Sequence, residues 1–256
     1  MKHRLFSITV LVALAAIFFL FRTEPYFWSL VGIIVLIFIL VTAFGSFQIR
    51  ANYFVKSINR GKKEGISLTF DDGPDPNFTP QILEILDNHN LTGTFFIIGK
   101  KAENFPELLK EIIQRGHIVG NHSFSHSHRL PLLSSNKLKA DIQHCINIIK
   151  TLTGKKIRFF RPPFGVTNPR YAKVLKQLDL QSIGWNIRSF DTVFKDSKQL
   201  FKRISRKIEN GSIILFHDTQ QVTVQTLPEI IRYCDEKGIK ILPLDKLINK
   251  HPYEKE

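Results

Sequence analysis

The sequence predicts an α/β fold: a distorted (β/α) barrel of about seven parallel strands, preceded by two N-terminal transmembrane helices. Three observations carry this. Two uncharged apolar runs fill residues 5–47 almost without a break. From Gly65 onward, short β-rich runs alternate with amphipathic helical stretches, the pattern of a parallel sheet under helical cover. Charged and imidazole groups recur where the predicted strands end, which is where barrels of this kind carry their sites.

The apolar runs cover residues 5–21 and 26–47, 17 and 22 residues long, separated only by Arg22, Thr23, Glu24 and Pro25. About 20 apolar residues span a bilayer, so the second run is long enough and the first slightly short. Lys2 and Arg4 ahead of the first run also suit a cleaved signal peptide. A longer run follows at once, however, with no polar cleavage region between. Neither run has the polar face of a buried soluble helix, so two spans are expected. Lys2 and Arg4 precede them; Arg50, Lys56, Arg60, Lys62 and Lys63 follow. The positive-inside rule then predicts a multi-pass protein of the cell membrane, with both flanks and the folded domain in the cytoplasm. If the first run fails to insert, the domain sits outside.

Beyond a basic juxtamembrane linker ending at residue 63, a folded domain is expected over residues 64–256, the part that carries the charged and imidazole groups at strand ends. Its strands are read at 66–70, 94–98, 117–120, 158–160, 181–185, 212–216 and 240–243, and its helices at 80–89, 106–114, 134–153, 168–178, 197–208 and 226–237. The first strand stops at Gly73-Pro74. Pro80, Pro106 and Pro228 are placed in first turns of helices, and Gly116, Gly154 and Gly238 just past helix ends. Seven strands suggest a closed or nearly closed barrel more than an open sheet.

The net charge of +14 invites a nucleic-acid partner, but its distribution argues against one. Residues 1–63 hold 8 basic residues against 1 acidic, and residues 64–256 hold 28 against 21, so each part carries a surplus of seven. The first surplus suits attraction to anionic headgroups. The second is spread along helices without a basic-aromatic module. Cys145 and Cys234 lie in predicted helices outside any paired spacing and are read as free buried thiols.

The chemistry lies in four blocks. In Asp71-Asp72-Gly73-Pro74, neighbouring strand residues would face opposite sides. The turn ends the strand at once, so both carboxylates can enter one pocket, one ligating a metal and the other free as a base. An ordinary turn with its aspartates bonded to local backbone is the alternative. His122 and His126, four apart, share a face if their segment is a helical turn. With one aspartate they form a ligand set that leaves open positions for water and substrate. His128 competes as a ligand but is expected to face elsewhere. His3, His89, His117, His144 and His251 are read as surface or structural.

Taken in order, Thr69-Phe70-Asp71-Asp72-Gly73-Pro74, His122-Ser123-Phe124-Ser125-His126, Arg161-Pro162-Pro163-Phe164-Gly165 and Leu215-Phe216-His217 resemble the polysaccharide deacetylase family, the NodB-type enzymes of carbohydrate esterase family 4. The resemblance covers roughly residues 64–245. It implies hydrolysis of N-acetyl, sometimes O-acetyl, groups on a sugar, with one divalent metal ion held by Asp72, His122 and His126. Zinc is the first choice, and cobalt, nickel or manganese suit the same ligands. It further implies Asp71 as general base, Arg161 holding Asp71 ionised, and the backbone near Pro163 and Phe164 stabilising an oxyanion. His217 would be the general acid, supported by Asp191, and Trp185 would line the substrate groove.

The chain departs from the family after Trp185. Members often carry Asp-x-x-Asp-Trp there; here Arg188 stands at the first Asp and Thr192 at the Trp. Arg188 would contact an anionic substrate group or form a rim salt bridge. The expected substrate is an N-acetylated polysaccharide or, from the cytoplasmic orientation, a lipid-linked saccharide precursor. The alternatives are an inactive sugar-binding or scaffold protein and a non-haem iron oxygenase, which would leave Asp71 and His217 without roles.

Overall fold

The structure is a computed structural model that describes residues 2–254. Helices α1 (Lys2–Phe21) and α2 (Phe27–Phe47) run side by side, with Phe6 stacked on Phe38. Each is long and apolar enough to cross a membrane; no side chain of α1 and only Gly45 of α2 is buried. A buried helix of a soluble protein would show the reverse.

Next come β1 (Ile66–Asp71), α3 (Thr79–Asn88), β2 (Thr94–Ile97), α4 (Gly99–Asn104), α5 (Pro106–Gln114), β3 (Ile118–Asn121), α6 (Ser135–Thr153) and β4 (Phe159–Phe160). Then follow α7 (Pro169–Gln177), β5 (Gln181–Ser182), β6 (Ile187–Arg188), α8 (Ser197–Ser205), β7 (Ser212–His217), α9 (Gln221–Glu236) and α10 (Leu244–Ile248). The seven strands are parallel, in the order β5-β4-β3-β2-β1-β7-β6.

The curled sheet stays open between β5 and β6, so the closed form of the barrel is not reached. The edge beyond β5 is instead covered by the segment before β1: Ile58 donates to Ser182 and accepts from Gly184. The basic stretch that follows α2 is thus paired into the sheet.

One expected strand is lost, an unexpected one takes its place, and one helix starts earlier than expected. Residues 240–243 form no strand; Ile241 makes a single bridge to Ile66, because Pro243 has no N–H to donate and α10 begins there. The seventh strand is β6, two residues with too little length to show periodicity. Pro228 lies inside α9, whose first turn starts at Gln221. Residues 221–225 are rich in Gln and Thr and read as loop, yet Val222 and Thr223 are buried against the sheet.

Period-two alternation positions the site. Along β1, Ile66, Leu68 and Phe70 point to the helical layer, and along β7, Ile214 and Phe216 do the same. Phe70 stacks between Phe95 and Phe216. The opposite face, inside the curl, receives Ser67, Thr69 and Asp71 from β1 and Ile213, Leu215 and His217 from β7, around a second core of Phe96, Phe159, Ile183 and Trp185. Asp71 and His217 therefore reach the same interior at the C-terminal rim.

Candidate active site

Asp71 ends β1, and Asp72 follows with φ 74, in the left-handed region. That reversal, rather than strand geometry, turns both carboxylates into one pocket. Asp71 Oδ1 accepts from Arg161 Nη1 at 2.7 Å, while Oδ2 lies 3.8 Å from His122 Nε2. Arg161 is fully buried. Its guanidinium also donates to Thr69 Oγ1 and the carbonyls of Ile183 and Gly184, and lies 4.1 Å over the Phe96 ring. Every arm of this cation is occupied, so its only free act is to hold Asp71.

His122 and His126 are not on a helical turn. The segment is a loop in which Ser123 (φ 71) and His126 (φ 47) take left-handed conformations. Asp141 on α6 accepts from the N–H groups of Phe124 and Ser125, and Ser123 Oγ accepts from His126 N. The i,i+4 spacing thus converges through pinned loop geometry. His122 Nδ1 lies 2.8 Å from the Arg161 carbonyl, which can only accept, so Nδ1 carries the proton and Nε2 is free to ligate. His128 stacks on Phe164, outside the cluster.

Asp72, His122 and His126 bring three potential ligand atoms within 4.8 Å of one another. Asp72 Oδ1 is buried without a hydrogen-bond partner, 3.4 Å from His122 Nε2 and 3.1 Å from His126 Nε2. A buried anionic oxygen facing two ring nitrogens fits a divalent cation. The charges agree. Burial would raise Asp72, but His122, His126 and His217 hold it well below the carboxylate range. Burial and the neighbouring His122 push His126 down to about 4, so it is neutral at pH 7. Burial also acts against His122, but Asp71 and Asp72 raise it above its ordinary value.

His217 faces this group from β7, its Nε2 3.9 Å from Asp72 Oδ2. Its Nδ1 is 2.7 Å from Asp191 Oδ1. Asp191, fully buried, also accepts from the His217 backbone N–H and Thr223 Oγ1, both at 2.7 Å. Burial alone would lower the His217 pKa; the bond to Asp191 and the charges of Asp191, Asp71 and Asp72 outweigh it and raise it to about 9.

The mouth is formed by Phe164, left-handed (φ 60) and partly exposed, whose ring packs on His126. Pro163 is buried beside it, and Trp185 packs under Gly165. Arg188 is exposed and makes no ion pair among the described residues; its guanidinium lies over Phe190 instead. The rim salt bridge is thus not formed.

Sequence reasoning gave Thr69 no role of its own and missed Asp141 and Thr223; all three act through contacts distant in sequence. It also missed a role for Asp218. This carboxyl accepts from Thr79 Oγ1 at 2.6 Å, and burial pushes it up to about 7.

The chain matches the family model for polysaccharide deacetylase over residues 58–183. It is 32% identical to a peptidoglycan-N-acetylglucosamine deacetylase of Bacillus cereus, over 72% of this chain and 68% of that protein. It is 30% identical to the peptidoglycan-N-acetylmuramic acid deacetylase PdaA of Bacillus subtilis, over 76% and 74%. Among solved structures, a peptidoglycan N-acetylglucosamine deacetylase in complex with an N-oxidanyl-benzamide superposes with a TM-score of 0.73 at 30% identity, covering 77% of this chain and 94% of that one. A family 4 pseudoenzyme of Bacillus anthracis superposes with a TM-score of 0.71 at 29% identity, over 75% and 69%. With its four motifs converging on one pocket, the protein belongs to the polysaccharide deacetylase family, NodB-type hydrolases of carbohydrate esterase family 4 acting on carbon–nitrogen bonds other than peptide bonds.

Proposed function

We propose that this protein is a membrane-anchored, metal-dependent deacetylase of an N-acetylated sugar. One observation carries the reading: Asp71 and His217 flank the candidate ligand set, each fixed by a buried partner of opposite charge. An inactive sugar-binding protein has no use for two such oriented pairs.

Asp72, His122 and His126 would hold the cation, which when bound polarises the acetyl carbonyl and eases ionisation of water. Asp71, pinned by Arg161 through one oxygen, uses the other to take a proton from the attacking water. The main-chain N–H of Phe164 donates to the developing oxyanion. His217 keeps Nδ1–H on Asp191 and delivers the Nε2 proton to the departing nitrogen as the carbon–nitrogen bond breaks. Acetate and a free amine result. The bond from Nδ1 to the buried Asp191 carboxylate favours the protonated ring that this step needs.

The substrate follows from the anchor. The basic flanks of α1 and α2 favour a cytoplasmic domain, which excludes assembled wall glycan and leaves a lipid-linked saccharide precursor. An outward domain would face peptidoglycan, the polymer named for the relatives. The test is acetate release from an N-acetylglucosamine oligomer by the zinc-loaded full chain in nanodiscs. Release that disappears on chelation and returns with metal supports the proposal; no release under any metal, from the oligomer or from a polyprenyl-diphosphate-linked N-acetylglucosamine, would sink it in favour of an inactive binding protein.

A further inference from the structure

Beside the active-site mouth lies a cleft of about 250 Å³ that the proposed chemistry does not use. It is walled by Arg50, just past the end of α2, by Arg188 of β6, and by Arg203 and Lys207 on and just after α8. Phe164 and Trp185 close its inner side. No acidic residue lines it, and none of the four cations forms an ion pair among the described residues. The contrast is local, since Glu209, two residues past Lys207, pairs with Arg60 at 2.8 Å instead. Four unneutralised cations around one small cavity repel one another and are relieved by an anion.

Two of the cations are held ready. The guanidinium groups of Arg188 and Arg203 lie over the Phe190 ring, 4.9 and 4.4 Å from its centroid. Arg203 Nε donates to the Ser189 carbonyl, which leaves its terminal nitrogens free. Planar forks fixed in this way suit phosphate oxygens. A single carboxylate would leave most of the charge uncompensated, whereas a phosphate or diphosphate matches it.

Position adds the rest. Arg50 lies three residues beyond the end of α2 at Phe47, so the cleft sits at headgroup level if α2 spans a bilayer. The end of α2 is tied to the active-site loop, because Thr167 N donates to the Ser46 carbonyl and Ser46 Oγ to the Thr167 carbonyl. Phe164 is shared: one wall of the cleft, it also packs on His126.

We propose that this cleft binds the phosphate or diphosphate of a membrane-borne, lipid-linked sugar and presents the adjoining N-acetyl sugar to the Asp71–His217 pocket. The sugar half of this statement rests on the deacetylase reading; the phosphate half does not.

The experiment uses the full chain in zwitterionic nanodiscs and the double variant Arg50→Ala/Lys207→Ala, whose exposed side chains make no hydrogen bonds among the described residues. Binding of a polyprenyl diphosphate carried in the same nanodiscs should weaken about tenfold or more in the variant, the scale of two lost charge-assisted contacts. The ratio of kcat/KM for polyprenyl-diphosphate-linked N-acetylglucosamine to that for a neutral chitooligosaccharide should fall by a similar factor. Unchanged binding, or equal losses on both substrates, would overturn the proposal. So would inorganic pyrophosphate binding as tightly as the lipid, or phosphatidylglycerol competing as well as the diphosphate. These last results would indicate a soluble phosphate ligand or a general membrane contact. If the protein binds the diphosphate in the variant-sensitive way but releases acetate from neither substrate, the phosphate site stands and the deacetylase reading falls.

Discussion

Asp71 and His217 occupy the same rung, the last one, of the paired parallel strands β1 and β7. Their side chains leave the sheet on its inner face, so the backbone ladder sets the spacing between the proposed base and acid. Each is then fixed by a different buried partner: Arg161 from the end of β4, and Asp191 from the loop after β6.

This arrangement separates the two adjacent aspartates. Asp71→Asn should leave metal content intact while acetate release drops by about 10²-fold or more, the usual scale for a lost general base. Asp72→Asn should lose metal and activity together. Metal analysis beside the rate assay checks both. Metal loss in the Asp71 variant, or full activity, would refute the division of labour.

Much of this was legible in the sequence, for reasons visible in particular residues. Asp71 and Asp72 sit in a block closed by Gly73 and Pro74, and Arg161 in one that runs into Pro162 and Pro163, and such turn residues mark strand ends. What stayed hidden is non-local. Asp141 on α6 anchors a loop 16 residues earlier, and Thr223 reaches Asp191 across 32 residues. Spacing alone suggested a helical turn for His122 and His126, because i,i+4 does not distinguish a helix from a loop with two left-handed residues. The two-residue β6 lies below the length at which alternation can be read.

Arg161→Met should cost about 3–5 kcal/mol of stability, because it leaves the Asp71 carboxylate buried and unpaired. Combining it with Asp71→Asn should recover part of that loss. Urea unfolding of the single and double variants measures the coupling; additive losses would mean that the pair is not what stabilises the pocket.

Gly165 has φ 71, and a Cβ there would lie 2.6 Å from the Trp185 indole. Gly165→Ala should therefore displace Phe164 or Trp185 and destabilise the protein by about 1–3 kcal/mol. Activity should fall while metal content holds, since no ligand sits on this loop. An alanine variant with normal stability and rate would show that the mouth is softer than its packing indicates.

The flanking charges predict that the C-terminus lies in the cytoplasm. A fusion after the last residue should give activity with a reporter that works only inside the cell. Activity of an export-dependent reporter would reverse the topology and restore wall glycan as the substrate.

The pH behaviour of His217 tests the acid assignment without relying on turnover. In the metal-free protein its pKa is raised to about 9, above the roughly 6.5 expected on unfolding. A pKa raised by folding means that the protonated ring is stabilised in the native state. That contribution is complete below about pH 6.5 and disappears as the pH rises through 9. Its size is on the order of 3 kcal/mol. The apo protein should thus lose stability between about pH 6.5 and 9, and His217→Asn should flatten that slope. In the metal-loaded enzyme the same variant should abolish most of the rate while leaving metal affinity unchanged, because His217 is no part of the ligand set. Loss of metal on that substitution would make His217 a ligand, and the proton for the leaving amine would then have to come from elsewhere.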